Sequence, residues 1–225
     1  MSSQKQDTRK LGWLSVLIVL SVLVIDQVLK IWVKTNMTLH ETIEIASWFK
    51  ITCIENNGMA FGMEIGSKII LSVFRIVAVA GLSYYIWLQL KERAKTGYVV
   101  LLSMILAGAI GNLLDCMFYG LCFNASTVTR ASEVVSFGHG YAPFLMGRVV
   151  DMFYFPLIET TWPDWMPVVG GQEFVFFRPI FNFADANVSV GVIALLIFYR
   201  KELSHITFRK QQEESPTDVE VEEQE

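Results

Sequence analysis

Four stretches of this chain are apolar for about the length of a bilayer crossing, and acidic residues stand inside or at the margins of three of them. The first runs from Leu11 to Val33, uncharged as far as Ile25 and then carrying Asp26 and Lys30. The second spans 69–90 and is broken by Arg75 alone. The third spans 97–115 and ends on Asp115; the fourth spans 183–199 with Asp185 near its start. A hydrophobic share of 53% and a mean hydropathy of +0.44 fit a polytopic membrane protein better than a soluble domain. No Ala-x-Ala-like cleavage site follows the first run, so it reads as a retained helix rather than a signal peptide.

The connecting segments set the orientation. Lys5, Arg9 and Lys10 precede the first run, Lys91, Arg93 and Lys95 fill the short second turn, and Arg200, Lys201, Arg209 and Lys210 follow the fourth. Ten of the 18 basic residues thus lie in three short segments, which places both termini and that turn in the cytoplasm. The two long segments, about 34–68 and 116–182, then face outward. Asp26, Lys30, Arg75, Asp115, Asp151 and Asp185 all fall in one layer near the outer membrane boundary. Ionisable groups at such a depth are costly, and function is their default explanation. Asp151 follows Val149-Val150 and reads as a loop residue that dips into the interface.

Segments 38–45 and 48–54 are rich in β-branched and aromatic residues with partial alternation, which predicts a small extracytoplasmic β element between helices 1 and 2. Asn56-Asn57-Gly58 reads as a turn. The fold class expected is a membrane all-α core of four transmembrane helices with that β element. Residues 1–200 form the membrane domain, and 201–225 form a charged, disordered cytoplasmic tail.

Much of the formal charge of −4 belongs to that tail, and the remainder offers no basic stripe for nucleic acid. Cys53, Cys116 and Cys122 form no CxxC pair, and the three histidines are scattered, so neither metal nor other cofactor is expected. Buried or unreactive thiols are the favoured reading over a single disulfide on the outer side.

Five short motifs resemble those of lipoprotein signal peptidases, the signal peptidase II family. Asp26-Gln-Val-Leu-Lys30 is similar to its D-x-x-x-K, and Asn56-Asn57-Gly58-Met59-Ala60-Phe61 to its N-x-G-x-A-F. Gly108 to Asp115 resembles G-x-x-G-N-x-x-D, Val149-Val150-Asp151 resembles V-V-D, and Phe181 to Asp185 resembles F-N-x-A-D. The motifs fall in the family's order over roughly residues 11–200.

The resemblance implies an aspartic endopeptidase of the inner membrane, working near the extracytoplasmic face with Asp151 and Asp185 as the catalytic pair. Its substrates are diacylglyceryl-modified prolipoproteins, cut just before the lipidated cysteine. Membrane lipids surround it, no nucleic acid is involved, and a monomer is the simplest assembly. Supporting roles fall to Asp26, Lys30, Asn56, Gly58, Asn112, Asp115, Arg148 and Asn182. Asp26 and Lys30, four apart on one helix face, serve either as a structural ion pair or in substrate positioning. Gly108 and Gly111 read more simply as close helix packing.

Two departures stand out. The family places Arg directly after the Asp of the third-helix motif, where it helps grip substrate backbone; this chain has Cys116. Arg148 is the first candidate to replace it and Arg178 the second. The segments on either side of Asp151, 116–150 and 156–180, are also longer than usual. A small proton- or ion-coupled transporter and a non-catalytic scaffold are the competing readings. The transporter would call for charges at the membrane midplane and internal repeats. Neither is present in the sequence.

Overall fold

The computed structural model of the chain describes residues 8–57 and 65–203. Helix α1 (Thr8–Asn36) leads into strands β1 (Thr42–Ala46) and β2 (Phe49–Asn56). Helices α2 (Ile65–Lys91) and α3 (Thr96–Leu114) form an antiparallel pair, and α3 continues through a π-helical turn (Asp115–Tyr119) into the single turn α4 (Gly120–Cys122). Strands β3 (Val149–Tyr154), β4 (Ile158–Thr161), β5 (Glu173–Phe176) and β6 (Ile180–Phe181) precede helix α5 (Phe183–Phe198).

Three helical stretches, Thr8–Asn36, Lys68–Lys91 and Thr96–Cys122, are long and apolar enough to cross a membrane; α5 is apolar but has 16 residues. Large apolar side chains such as Trp13, Leu17, Val24, Phe74, Val77, Ile193 and Ile197 project from the helices without protein cover. Such surface is costly in water and matches hydrocarbon surroundings. Helix α3 is the central post: α1, α2 and α5 all pack against it, whereas α2 and α5 make almost no contact with each other.

The β element is larger than the sequence patterning suggested. Strands β1 and β2 form the expected hairpin, but β3 and β6 extend it into an antiparallel sheet of order β1-β2-β3-β6. Strands β4 and β5 make a separate hairpin within the 156–180 insertion. Asp151 therefore lies on a strand, not in a loop, and Asn56 ends β2 rather than opening a turn. Gly58, the remainder of that motif and residues 204–225 of the expected tail lie outside the described residues.

The 116–150 insertion folds back onto the end of α1. The Leu39 amide donates to Thr127 O at 2.9 Å, and Ser132 N to Lys34 O at 3.1 Å. Backbone pairing of this kind explains how a segment of irregular pattern is held without regular elements.

Two apolar cores result. Leu11, Ile86, Tyr98, Val99, Leu102, Leu106 and Leu195 fill the end of the bundle far from the sheet. Val33, Met37, Cys53, Tyr119, Phe123, Val150 and Met152 fill the space beneath the sheet. Between them lies a layer of buried polar side chains, including Asp26, Lys30, Asp115, Asp151 and Asn182. All three cysteines are free.

Candidate active site

The β3–β6 pairing brings the two distant acids to one level. Phe153 lies opposite Phe181, so in an antiparallel register the chain two residues earlier, at Asp151, faces the start of α5. Register irregularity in β2 between Ile51 and Ile54 sits beside Asp151, where a bulge can re-aim a side chain.

Asn182 joins the two acids. It caps α5: its side-chain oxygen accepts from the Asp185 amide at 2.9 Å, and the Asp185 carboxylate accepts from Asn182 N at 3.5 Å, a reciprocal capping box. The same side chain donates from Nδ2 to Asp151 Oδ1 at 2.7 Å. Asn56 Nδ2 donates to the other oxygen of Asp151 at 3.3 Å. Asn112 Nδ2 donates to Asp185 Oδ1 at 2.7 Å, and its oxygen accepts from Asn182 Nδ2 at 3.1 Å.

Behind this group stands a buried charge cluster. Lys30, fully buried, lies 2.8 Å from Asp26 and 2.8 Å from Asp115, and donates to Asn112 Oδ1 at 2.9 Å. Its third donation fixes which way the Asn112 amide faces, because an ammonium contacts only the oxygen. The nitrogen is thereby left for Asp185. Asp26 also accepts from the Ala184 amide at 2.9 Å, one residue before Asp185. The i, i+4 spacing of Asp26 and Lys30 thus makes a real ion pair whose reach extends to both α3 and α5.

Close approach of α3 and α5 depends on small residues. A Cβ on Gly108 would stand 2.4 Å from Ala184 O, and one on Gly111 would stand 3.3 Å from Ala184 Cβ and 2.6 Å from Asp26 Oδ2 of α1. The π-helical turn begins at Asp115, immediately after this contact; such insertions in helices recur at functional sites.

Sequence reasoning overlooked Gln27 and the Glu55 cluster. Gln27 Nε2 donates to Asp115 at 2.9 Å and to Asp26 at 3.1 Å, and its oxygen accepts from Tyr119 at 3.1 Å. It sits inside the D-x-x-x-K spacing, one position after Asp26. Glu55, on β2, binds Lys34, accepts from Ser126 at 2.5 Å and lies 3.2 Å from Arg148. Arg148 also lies over the Tyr141 ring at 5.3 Å, so its charge is already engaged.

Burial, followed by the negative charge of Asp185, raises the Asp151 carboxyl to about 6, although Asn182 and Asn56 both favour its ionised form. Two neighbouring carboxylates with one proton between them provide a base and an acid together. Among the described residues, no group of His, Cys, Asp and Glu has metal-site geometry.

A family profile described as Signal peptidase (SPase) II matches residues 18–200. The chain is 50% identical over 188 residues to the lipoprotein signal peptidase of Porphyromonas gingivalis strain ATCC 33277, covering 83% of each. It is 35% identical over 212 residues to that of Amoebophilus asiaticus, covering 91% of this chain and 84% of the relative. Two solved bacterial membrane enzymes resemble it, each with a TM-score of 0.55. One, at 24% identity, spans 92% of this chain and 94% of its own. The other, at 26%, spans 81% and 90%.

Proposed function

Since this chain belongs to the signal peptidase II family, we propose that Asp151 and Asp185 are the catalytic pair with which it cuts its substrates. The activity is that of the family: the protein is an aspartic peptidase of the bacterial membrane that removes signal peptides from prolipoproteins. The bond cut lies just before a cysteine carrying a diacylglyceryl thioether.

The observation that carries the assignment is Asn182, which hydrogen-bonds Asp151 through its side chain and caps the helix turn holding Asp185. Asp185 in its ionised form takes a proton from water as the water attacks the scissile carbonyl. Asp151, with its raised affinity for a proton, donates it to the carbonyl oxygen; as the tetrahedral intermediate collapses, Asp151 regains a proton from its hydroxyl and Asp185 passes the proton taken from water to the departing amine. Asn112 and Asn182 keep both carboxylates in place, and Lys30, braced by Asp26 and Asp115, fixes Asn112. Arg148 serves the Glu55 cluster rather than the substrate.

All four apolar helices cross the membrane, α5 being completed by the residues that flank it. The Lys and Arg distribution supports cytoplasmic termini and an active site near the outer face. The acyl chains of the substrate remain in lipid while the scissile bond reaches the polar layer. Residues 1–200 form the catalytic membrane domain, which works as a monomer embedded in lipid.

The test is a size shift. Wild-type protein incubated with a diacylglyceryl-modified prolipoprotein releases the signal peptide; Asp151→Asn and Asp185→Asn do not. Processing by either variant at the wild-type rate removes the pair from catalysis.

A further inference from the structure

Helix α2 carries a polar stripe, Lys68, Ser72 and Arg75, at i, i+4 and i+7. Two of its members have ordinary acceptors. Lys68 donates to Asn57 Oδ1 at 3.1 Å, and Ser72 to Leu145 O at 2.9 Å. Arg75 is different: among the described residues it donates from Nη1 to the Cys116 sulfur at 2.8 Å. A thiol is a weak acceptor for one of the five donors of a guanidinium. Holding such a cation within a membrane helix is costly, and among the described residues no strong acceptor offsets that cost.

Its position supplies the reason. Asn112, near the end of α3, and Cys116, in the π-helical turn that continues it, are four apart in sequence. The first reaches Asp185 on α5 and the second meets Arg75 on α2. Because α2 and α5 pack on α3 but hardly on each other, the strip from Asn112 to Cys116 is the floor of the groove between them. Asp185 lies on one wall and Arg75 on the other, about one helical turn (roughly 5.4 Å) farther along. Half-buried Asn112 and Arg75 show that the floor and wall are partly open.

A signal peptide lying in that groove as a helix would have to be extended where it is cut, since hydrolysis needs an accessible carbonyl. The last helical carbonyls then lose their intrahelical donors. In a lipid environment an unsatisfied carbonyl is expensive. Resting on the assignment of Asp151 and Asp185, we propose that Arg75 is a substrate-positioning residue. It turns from Cys116 to donate to the freed main-chain carbonyls of the signal peptide beside the scissile bond. Arg suits this work, because its planar fork can serve two acceptors at once where Lys offers a point charge.

The experiment is steady-state processing of a diacylglyceryl-modified prolipoprotein by the full chain in lipid nanodiscs. An interaction made equally in ground and transition states appears in KM alone, so Arg75→Gln raises KM about ten-fold with kcat changed by less than about two-fold. Arg75→Lys lies between. The paired variant Arg75→Ala with Cys116→Arg moves the guanidinium to the facing helix and recovers most of kcat/KM. Exposed Arg130, paired with Glu133, provides the control: Arg130→Gln keeps the wild-type KM. Should Arg75→Gln lower the thermal midpoint, the KM values of Arg75→Lys and of the paired variant decide. Wild-type KM in Arg75→Gln, or a loss confined to kcat that the paired variant does not recover, overturns the proposal. Processing by Asp151→Asn would instead strike the catalytic assignment.

Discussion

Asn182 and Asp151 are joined by a buried 2.7 Å hydrogen bond, and the same Asn182 side chain accepts from the amide that opens the Asp185 turn. One residue therefore performs two separable tasks, helix capping and carboxylate placement. Ser caps helices about as well as Asn but is too short to reach Asp151. Asn182→Ser should keep the cap and so lower the thermal midpoint less than Asn182→Ala does, while kcat falls roughly a hundred-fold, the usual scale for removing one placed donor. Asn182→Ala should lose the cap as well, at about 1 kcal/mol of stability. Thermal unfolding and kcat measured on both variants check the separation. Equal kcat in wild type and Asn182→Ser would show that the amide does not place Asp151.

The pH profile carries a second test. The Asp151 carboxyl is raised to about 6, chiefly by burial and next by Asp185. With Asp151 assigned as the acid, activity needs this proton, so kcat/KM should decline as pH rises above that region. Asn56 donates to Asp151 Oδ2 at 3.3 Å and so favours the ionised form. Removing the donor in Asn56→Ala should raise the carboxyl further and move the alkaline limb to higher pH. A limb that stays in place, or moves downward, contradicts the assignment of Asp151 as the acid.

Much of the site was legible because three of its acids stand in or beside apolar runs, where function is the default reading of a charge; the pairing of Asp151 with Asp185 came from the motif resemblance. Asp26 and Lys30 could be paired from spacing alone, and they do pair. The sheet was only half legible. Strands β1 and β2 alternate between branched and polar residues, whereas β3 is buried on both faces through Val149–Met152 and leaves no alternation to read. β6 has two residues, too few for any pattern, yet its pairing with β3 brings Asp151 to Asp185. Glu55 was hidden for another reason. Its partners Lys34, Ser126 and Arg148 come from distant segments, so no spacing in the chain announces the cluster. Arg75 was visible as a charge in a span, but its meeting with Cys116 belongs to helix packing.

The Glu55 cluster should matter for stability rather than for chemistry. Lys34 and Glu55 are almost wholly buried, and Arg148 is about a third exposed. Burial pushes the Glu55 carboxyl upward, but Lys34 foremost, then Ser126 and Arg148, outweigh it and hold the group below the ordinary glutamate range. Its contribution is therefore fully present above that range and is lost as pH falls through the lowered value. Glu55→Gln leaves the Lys34 ammonium buried without a counter-charge, which costs about 3 kcal/mol when a buried pair is broken. The double variant Lys34→Met with Glu55→Gln should be less destabilised than Glu55→Gln alone. Thermal midpoints of the single and double variants measure this coupling; additive losses would mean that the two side chains do not depend on each other.

The α3–α5 seam offers the sharpest geometric test. A methyl group at Gly108 would meet Ala184 O at 2.4 Å and Val188 Cγ2 at 2.7 Å. The first of these is backbone and cannot swing aside, so Gly108→Ala must push α5 away from α3. That displacement carries Asp185, the next residue after Ala184, away from its 2.7 Å bond with Asn112. Overpacking alone costs about 1–3 kcal/mol, and the loss of activity should exceed what the lowered midpoint explains. Gly81, in the middle of α2, has nothing within 4 Å of an added methyl. There the change only removes backbone freedom from the unfolded chain, so Gly81→Ala should be neutral or stabilising by up to about 1 kcal/mol with processing unchanged. If both glycines tolerate alanine equally in a processing assay, the close approach of α3 and α5 is not what holds Asp185 against Asn112.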